Sequence, residues 1–595
     1  MALKQRNEMD KAFQWDFSHI YPTYEAWEKA YADVQQRIPE VTKFAGKLGE
    51  GVEAVKEAFD RISAIEADVE LVYLYAMLHK SADNGDPKYQ EMEGKAINLI
   101  VALSTNAAYF SPELVSLPKE TIEEYLASDL LKNYHHTIED ATRGAKHVLD
   151  AKTEGILAKL HDPAGATQDA FGMLESVDMT FPCVKDDNGN EVEITHGNFG
   201  VFRESKNQDV RRESFEKYFG EFKKYINTFA ALYAGSVKFD NFFADVRNHN
   251  SACEAALFGG NVPISVYDKL VESVHAGLPT MKQYLELRKK VLGLETLNMY
   301  DLYCPMVDSV DFDVKFEEAK DMVKKALAPL GEDYAKLLDK AYSENWMDVY
   351  ENKGKTTGAF SCGVFGVHPY VLLNYTDTLD DAYTMAHELG HAMHSYLSDT
   401  TQDYVNHSYR IMVAEVASTV NEVLLTKYLL KTETDKQRRM YILNHFLEGF
   451  RTTVFRQTLF AEFERKAHDA AKSGVPLTAE VLNNIYKELN ELYYEGAYVN
   501  ELQNIEWARI PHFYNAFYVY QYATGFCSAV AIANNIYETG DVSGYLKFLS
   551  LGGSDYPIEE LKVAGVDLTT PETVDSALKV FKESLDELCA LFEEN

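Results

Sequence analysis

Apolar residues recur at three- and four-residue steps along most of this chain, the spacing that lines one face of an α-helix. Residues 24–47, 51–82 and 87–109 follow it, with polar or Gly/Pro-containing breaks such as Asn84-Gly85-Asp86-Pro87 between them. Helical patterning continues to about residue 177 and resumes over 209–247, 263–292, 314–343, 434–469 and 478–497. Ahead of the first helix lies a polar lead whose apolar residues, Trp15 to Phe17 and Ile20 to Tyr24, are expected to dock onto the body. The clearest strand signal is at 178–200, where MTFPCV and EVEIT flank Asp187-Asn188-Gly189-Asn190, a turn suited to a β-hairpin. The aromatic segment MYDLYCPM at 299–306 reads as extended. The expected fold is all-α, predominantly helical, with a small β hairpin or sheet. The hairpin is taken as the seam between an N-terminal helical lobe at 1–200 and a larger domain at 201–595.

A run containing Gly354, Gly358, Gly363 and Gly366 leads into a strand signal at 369–375. Glycines let such a loop close over a bound molecule, and a strand beside it can pair with an extended backbone. The simpler alternative is a turn followed by a purely structural strand.

Two helical stretches carry the residue types of a metal centre. AHELGHAMH at 386–394 contains H-E-x-x-H, in which His387 and His391 fall four residues apart on one helix face and can grip one zinc ion, with Glu388 beside it. Thr378 to Asp381 has the form of a capping box, and Ala382, Met385, Leu389, Ala392 and Met393 suit a buried helix. On an ordinary helix such histidines would simply be solvated or satisfied in the core. A hydrolytic zinc site needs three protein ligands and one open position. His394 lies nearly a turn beyond His391, a hard reach for a metal centred over the pair. The helical stretch 408–430 offers Glu415 and Glu422 in AEVASTVNE, and with Ser418 they form one stripe at i, i+3 and i+7. Buried carboxylates need partners, so the stripe fits a ligand supported by a second carboxylate. Positions on the helix's solvated side are the alternative for each.

Composition narrows the classes. The net charge of −35, with no clustered Lys/Arg run, argues against a nucleic-acid partner and favours solubility. A bolder reading is that the excess acid draws in cationic peptides. Six cysteines, at 183, 253, 304, 362, 527 and 589, have no C-x-x-C and no close-set framework, and read as reduced thiols of a cytoplasmic protein. The first residues lack a signal peptide's apolar core, and the longest apolar run, 96–103, is short and broken by Asn98, so no membrane segment is expected.

The stretch HFYNAFYVYQY at 512–522 holds one histidine and four tyrosines. Most of an aromatic stripe at helical spacing is core, but a phenol or imidazole aimed at a carbonyl can stabilise an oxyanion.

HELGHAMH followed by AEVASTVNE resembles the thimet oligopeptidase family of zinc peptidases, in particular its oligoendopeptidase F branch. The similarity runs from about residue 156 to the C-terminus, through SACEAALFGGNVP (251–263), FSCGVFGVHPYVLLNY (360–375) and IPHFYNAFYVYQYATG (510–525). The resemblance implies that His387, His391 and Glu415 hold one Zn2+ per chain and that Glu388 is the catalytic base. It also singles out His512, Tyr518 and Tyr522 as residues that bind substrate and stabilise the transition state. The spacing from His512 to Tyr518 is one residue longer than in thimet-type relatives. A fold of two lobes around a deep channel is implied, admitting short unstructured peptides to a cytosolic endopeptidase. A zinc carboxypeptidase or dipeptidyl carboxypeptidase is an alternative, and would need a basic residue to catch the substrate's terminal carboxylate; Arg509 is the basic residue near the aromatic run. A non-catalytic peptide-binding protein that merely holds zinc is a third reading, and it would have no use for Glu388. Oligomeric state is not legible.

Overall fold

In the computed structural model, which describes residues 3–307 and 312–594, helices dominate and strands are confined to two small sheets. The chain forms two compact units, each assembled from three stretches. The first comprises Met1–Lys146, Phe312–Lys431 and Ile532–Val566, and the second His147–Asp311, Thr432–Ala531 and Asp567–Asn595. No helix among the described residues is long and apolar enough to cross a membrane.

In the first unit, the opening helices Tyr24–Arg37, Val52–Ala82 and Pro87–Ala107 bury Trp27, Val34, Ile65, Val69, Val72, Met92 and Leu99 against one another. The Asn84-to-Pro87 break is a helix start, with Asp86 accepting the amide of Lys88 at 2.8 Å and Pro87 filling the first helical position. The first of these helices stops at Arg37, well short of its apolar periodicity. Pro39 has no N–H to give an α-helix, and the chain tightens into a 3-10 turn, Ile38–Phe44. The polar lead docks as expected: the Trp15 indole donates to the carbonyls of Trp346 (3.1 Å) and Val371 (2.9 Å). Arg6 binds the fully buried carboxylate of Asp348, which Lys355 also meets at 2.8 Å.

Those contacts land on a three-stranded sheet in which Tyr370–Leu372 is central, parallel to Met347–Asp348 and antiparallel to Phe360–Cys362. The strand signal at 369–375 is therefore real, but its backbone is taken on both sides and cannot accept a further strand. The edge strands are its two neighbours. The glycines before it serve packing as well as bending: a β-carbon on Gly363 would come within 2.4 Å of the Ser395 β-carbon.

In the second unit, Cys183–Lys185 pairs antiparallel with Glu191–Glu193 to give the expected hairpin. Asp186 closes its turn by accepting the amides of Asn188 and Asn190 at 2.9 and 2.8 Å, and Gly189 takes the left-handed conformation. The helices Gln208–Lys224, Ile226–Val246 and Ile264–Val291 follow. The helix Lys436–Gly449 passes through a π-helical turn, Phe450–Phe455, into Arg456–Lys472, and Ala151–Met173, Ala479–Tyr493 and Glu572–Glu593 are further long helices of the unit. The segment at 299–306 is not extended. It opens with the 3-10 turn Met299–Asp301, because the buried Asp301 carboxylate binds both the Asn298 amide (2.9 Å) and Arg211 (2.8 Å) and curls the chain around itself.

Candidate metal centre

The centre is built in the first unit from two crossed helices, Leu379–Thr401 and Ile411–Thr432. The capping box that starts the first is formed: Thr378 Oγ1 accepts the Asp381 amide at 3.1 Å and Asp381 accepts the Thr378 amide at 3.0 Å. Two buried hydrogen bonds pin the helices together, Asn421 Nδ2 to the Ala386 carbonyl and Tyr383 to Thr426, both at 3.0 Å. Between them the backbones come so close that a β-carbon on Gly390 would lie 2.5 Å from Ser418 Cα and 2.7 Å from the Ala417 carbonyl oxygen. Only glycine fits at this crossing.

That approach brings three donor atoms together. His387 Nε2 and His391 Nε2 are 3.2 Å apart, and Glu415 Oε2 is 3.3 Å from the first and 3.5 Å from the second. A tetrahedral ion with metal–ligand bonds near 2.0–2.1 Å requires ligand atoms about 3.3 Å from one another. The three atoms therefore already stand as one face of such a tetrahedron, with two imidazole nitrogens and a carboxylate oxygen as the donor set. They are the group of metal-ligating side chains found among the described residues.

The supporting residues fit the same reading. Glu422 accepts from His387 Nδ1 at 2.7 Å, which fixes the tautomer and turns Nε2 toward the centre. Ser418 lies 3.3 Å from Glu415 Oε2, so the stripe of Glu415, Ser418 and Glu422 does share one face. Burial opposes protonation of His387, yet its bonds to Glu415 and Glu422 raise the imidazole to about 10. The same bonds, to His387 and His391, hold the Glu415 carboxyl far below the usual carboxylate range. A proton and a cation thus compete for one nitrogen. Glu388 is 7% exposed, and burial pushes its carboxyl up, with the two imidazoles pulling the other way. His394 is no part of the donor set: it is buried, stacked 3.8 Å over the Tyr409 ring, and burial holds it down at about 3.

His512, Tyr518 and Tyr522 lie in the second unit and form a cluster of their own. Their ring centroids are 5.4–6.4 Å apart, and the Tyr522 hydroxyl stands 3.5 Å from His512 Nε2. The stripe is split by exposure: Phe513, Phe517, Val519 and Tyr520 are buried, whereas His512, Tyr518 and Tyr522 keep access to solvent. Arg509 stands 3.8 Å from Glu506 and so already faces a carboxylate. Asn421 and Gly390, which set the crossing of the two helices, were not singled out by sequence. A buried amide in an otherwise apolar helix, and a glycine inside H-E-x-x-H, are the signals that point to them.

Residues 201–580 match the model of peptidase family M3, and residues 113–181 match the family model described as Oligopeptidase F. The chain belongs to peptidase family M3. As an M3 peptidase it is a metal-dependent enzyme that acts on peptides, and the His387, His391 and Glu415 cluster is where its residues can hold the metal. It is 44% identical to oligopeptidase PepF of Bacillus subtilis over 98% of this chain and 88% of that protein. A crystal structure from Chlamydophila abortus superposes with a TM-score of 0.95 at 33% identity, covering 99% of this chain and 100% of the other. Oligoendopeptidase-F from Enterococcus faecium gives a TM-score of 0.74 at 35% identity, covering 96% and 99%. These similarities span nearly the whole M3 chain, its first 150 residues included.

Proposed function

We propose that this M3 peptidase is a zinc-dependent oligoendopeptidase that hydrolyses internal bonds of short, unstructured peptides. The observation that carries the reading is the 3.2–3.5 Å spacing of His387 Nε2, His391 Nε2 and Glu415 Oε2, matched to a tetrahedral ion with one position left for water. Zinc held there by His387, His391 and Glu415 would supply a Lewis acid for the scissile carbonyl and acidify a water at the site.

The chain's own residues do the rest. Glu388, adjacent to His387, accepts the proton of the attacking water and later delivers it to the leaving amine. Its raised carboxyl makes Glu388 a stronger base toward that water. Glu422 keeps the His387 ring oriented throughout by holding Nδ1. Tyr518, with Tyr522 and His512, donates hydrogen bonds to the oxyanion that develops on the substrate carbonyl.

A peptide of about ten residues, blocked at both ends and carrying a fluorophore and quencher, separates this reading from its competitors; that length suits a pocket-scale channel. Internal cleavage seen in product masses, abolished by a chelator and restored by zinc, is the expected result. An enzyme that cleaves only the free-ended peptide is an exopeptidase, and one that cleaves neither while binding both is a peptide-binding protein.

A further inference from the structure

The π-helical turn Phe450–Phe455, in the second unit, is hydrogen-bonded from residue i to i+5, which brings residue i+5 closer to the face of residue i than an α-helix does. The Arg456 amide bonds to the Arg451 carbonyl, so these two like charges come nearer one face than an α-helix of 3.6 residues per turn would bring them. Turns of this kind recur at functional sites. Both side chains line a small cavity with Arg203, Tyr303 and Tyr494.

Two carboxylates answer part of this charge. Glu448 takes Nε and Nη2 of Arg451 at 3.0 and 2.6 Å, and Glu506 takes both terminal nitrogens of Arg456 at 3.3 and 2.7 Å. The same two carboxylates also serve Arg288 (3.2 Å) and Arg509 (3.8 Å). Donors are left over. Arg451 Nη1, Arg203 Nε and the Tyr494 hydroxyl are buried and meet no hydrogen-bond partner among the described residues. The guanidiniums of Arg203 and Arg451 lie over the Tyr303 ring, 3.7 and 4.5 Å from its centroid. Against the effect of burial, Arg456, Arg203 and Arg451 bring the Tyr303 phenol down to about 7, a measure of how positive the cavity is.

We infer that this cavity is a binding site for a monatomic anion of chloride size, held by Arg203, Arg451, Arg456 and Tyr494. An acceptor with lone pairs in every direction can satisfy leftover donors carried by three separate elements, and its charge offsets the guanidiniums that line the cavity. The free space, ≈ 10 Å³, leaves no room for phosphate or a peptide carboxylate. The ion ties Arg203 and Tyr494 to Arg451 in the π-turn and Arg456 just after it, so its effect is on the stability of the second unit.

The full chain is tested in sodium gluconate titrated with chloride at constant ionic strength. Thermal unfolding is expected to rise by several degrees and to saturate, as ligand linkage requires, and crystals grown with bromide should show an anomalous peak in the cavity. Tyr494→Phe removes one donor while keeping the ring, and should raise the half-saturating chloride concentration about tenfold. Arg203→Gln, at a less buried position, serves the same purpose if Tyr494→Phe does not fold. A Tm indifferent to chloride, a bromide derivative without that peak, or an unchanged half-saturation in the variant would each overturn the assignment.

Discussion

Glu464 Oε1 accepts the backbone N–H of Phe517 at 3.1 Å, and Phe517 is held in the left-handed region at φ +59°. A bulky side chain rarely adopts that conformation, so something must hold it there. Glu464 is fully buried, its other oxygen has no hydrogen-bond partner among the described residues, and burial keeps its carboxyl well above the usual range. This buried carboxyl thus anchors the turn that leads into Tyr518. Glu464→Gln, which keeps an acceptor of the same size, should leave urea stability and turnover near the parent's. Glu464→Ala should cost about 1–3 kcal/mol and lower turnover. Equal urea midpoints for Glu464→Ala and the parent would show that the bond anchors nothing.

Glu388→Gln should retain the metal, measured by atomic absorption, and lose roughly 10³-fold or more in turnover. Tyr518→Phe should keep the metal too, with a loss nearer 10²-fold that falls on turnover rather than on substrate affinity. A Glu388→Gln enzyme running at parental speed would remove the carboxylate from the proposed chemistry altogether.

Metal affinity should depend on a residue that never touches the ion. Because Glu422 holds His387 Nδ1 at 2.7 Å, Glu422→Ala is expected to weaken metal retention about 10–100-fold in a chelator competition, and Glu422→Gln, whose amide oxygen still accepts, should fall less. Identical chelator curves for the parent and Glu422→Ala would contradict this.

Glu560 gives a pH dependence with a definite sign. It is 1% exposed, and burial raises its carboxyl from 4.5 to about 8. The folded chain therefore holds this proton more tightly than the unfolded chain. The stability it contributes is complete below about pH 4.5 and is lost as the pH climbs through 8. Glu560→Gln, which cannot ionise, should match the parent near pH 5 and exceed it by about 1–3 kcal/mol at pH 9. Denaturant curves at the two pH values measure the difference, and a variant no more stable than the parent at pH 9 would contradict the account.

The parts of this protein that were legible in its sequence are the local ones. Thr378 and Asp381 cap a helix three residues apart, His387 and His391 share a face by helical pitch, and the Asp187-to-Asn190 turn lies within a short hairpin; none of these needs a distant partner. What stayed hidden depends on residues far away in the chain. The strand Tyr370–Leu372 is central because Met347–Asp348 and Phe360–Cys362 flank it, and strand patterning does not say how many neighbours a strand has. MYDLYCPM looked extended because its aromatics are strand formers, but Asp301 is claimed by Arg211, 90 residues earlier. Glu464 and Phe517, 53 residues apart, and the Arg203, Tyr303 and Arg451 cavity belong to the same class. In the metal centre the third donor was confined to a short stripe by helical spacing, while the distances that single out Glu415 exist only once the two helices cross.

The glycine at that crossing changes how much information the metal-binding motif carries. Written as H-E-x-x-H, the string treats residues 389 and 390 as free letters. In this architecture the second of them has one permitted value, because the neighbouring backbone occupies the space of any side chain. A string search that demands glycine there tests for the partner helix as well as for the metal pair. The same position limits transplantation: a host helix given the two histidines and the glutamate, but no glycine facing a closely crossing neighbour, would hold two ligands and keep the third out of reach.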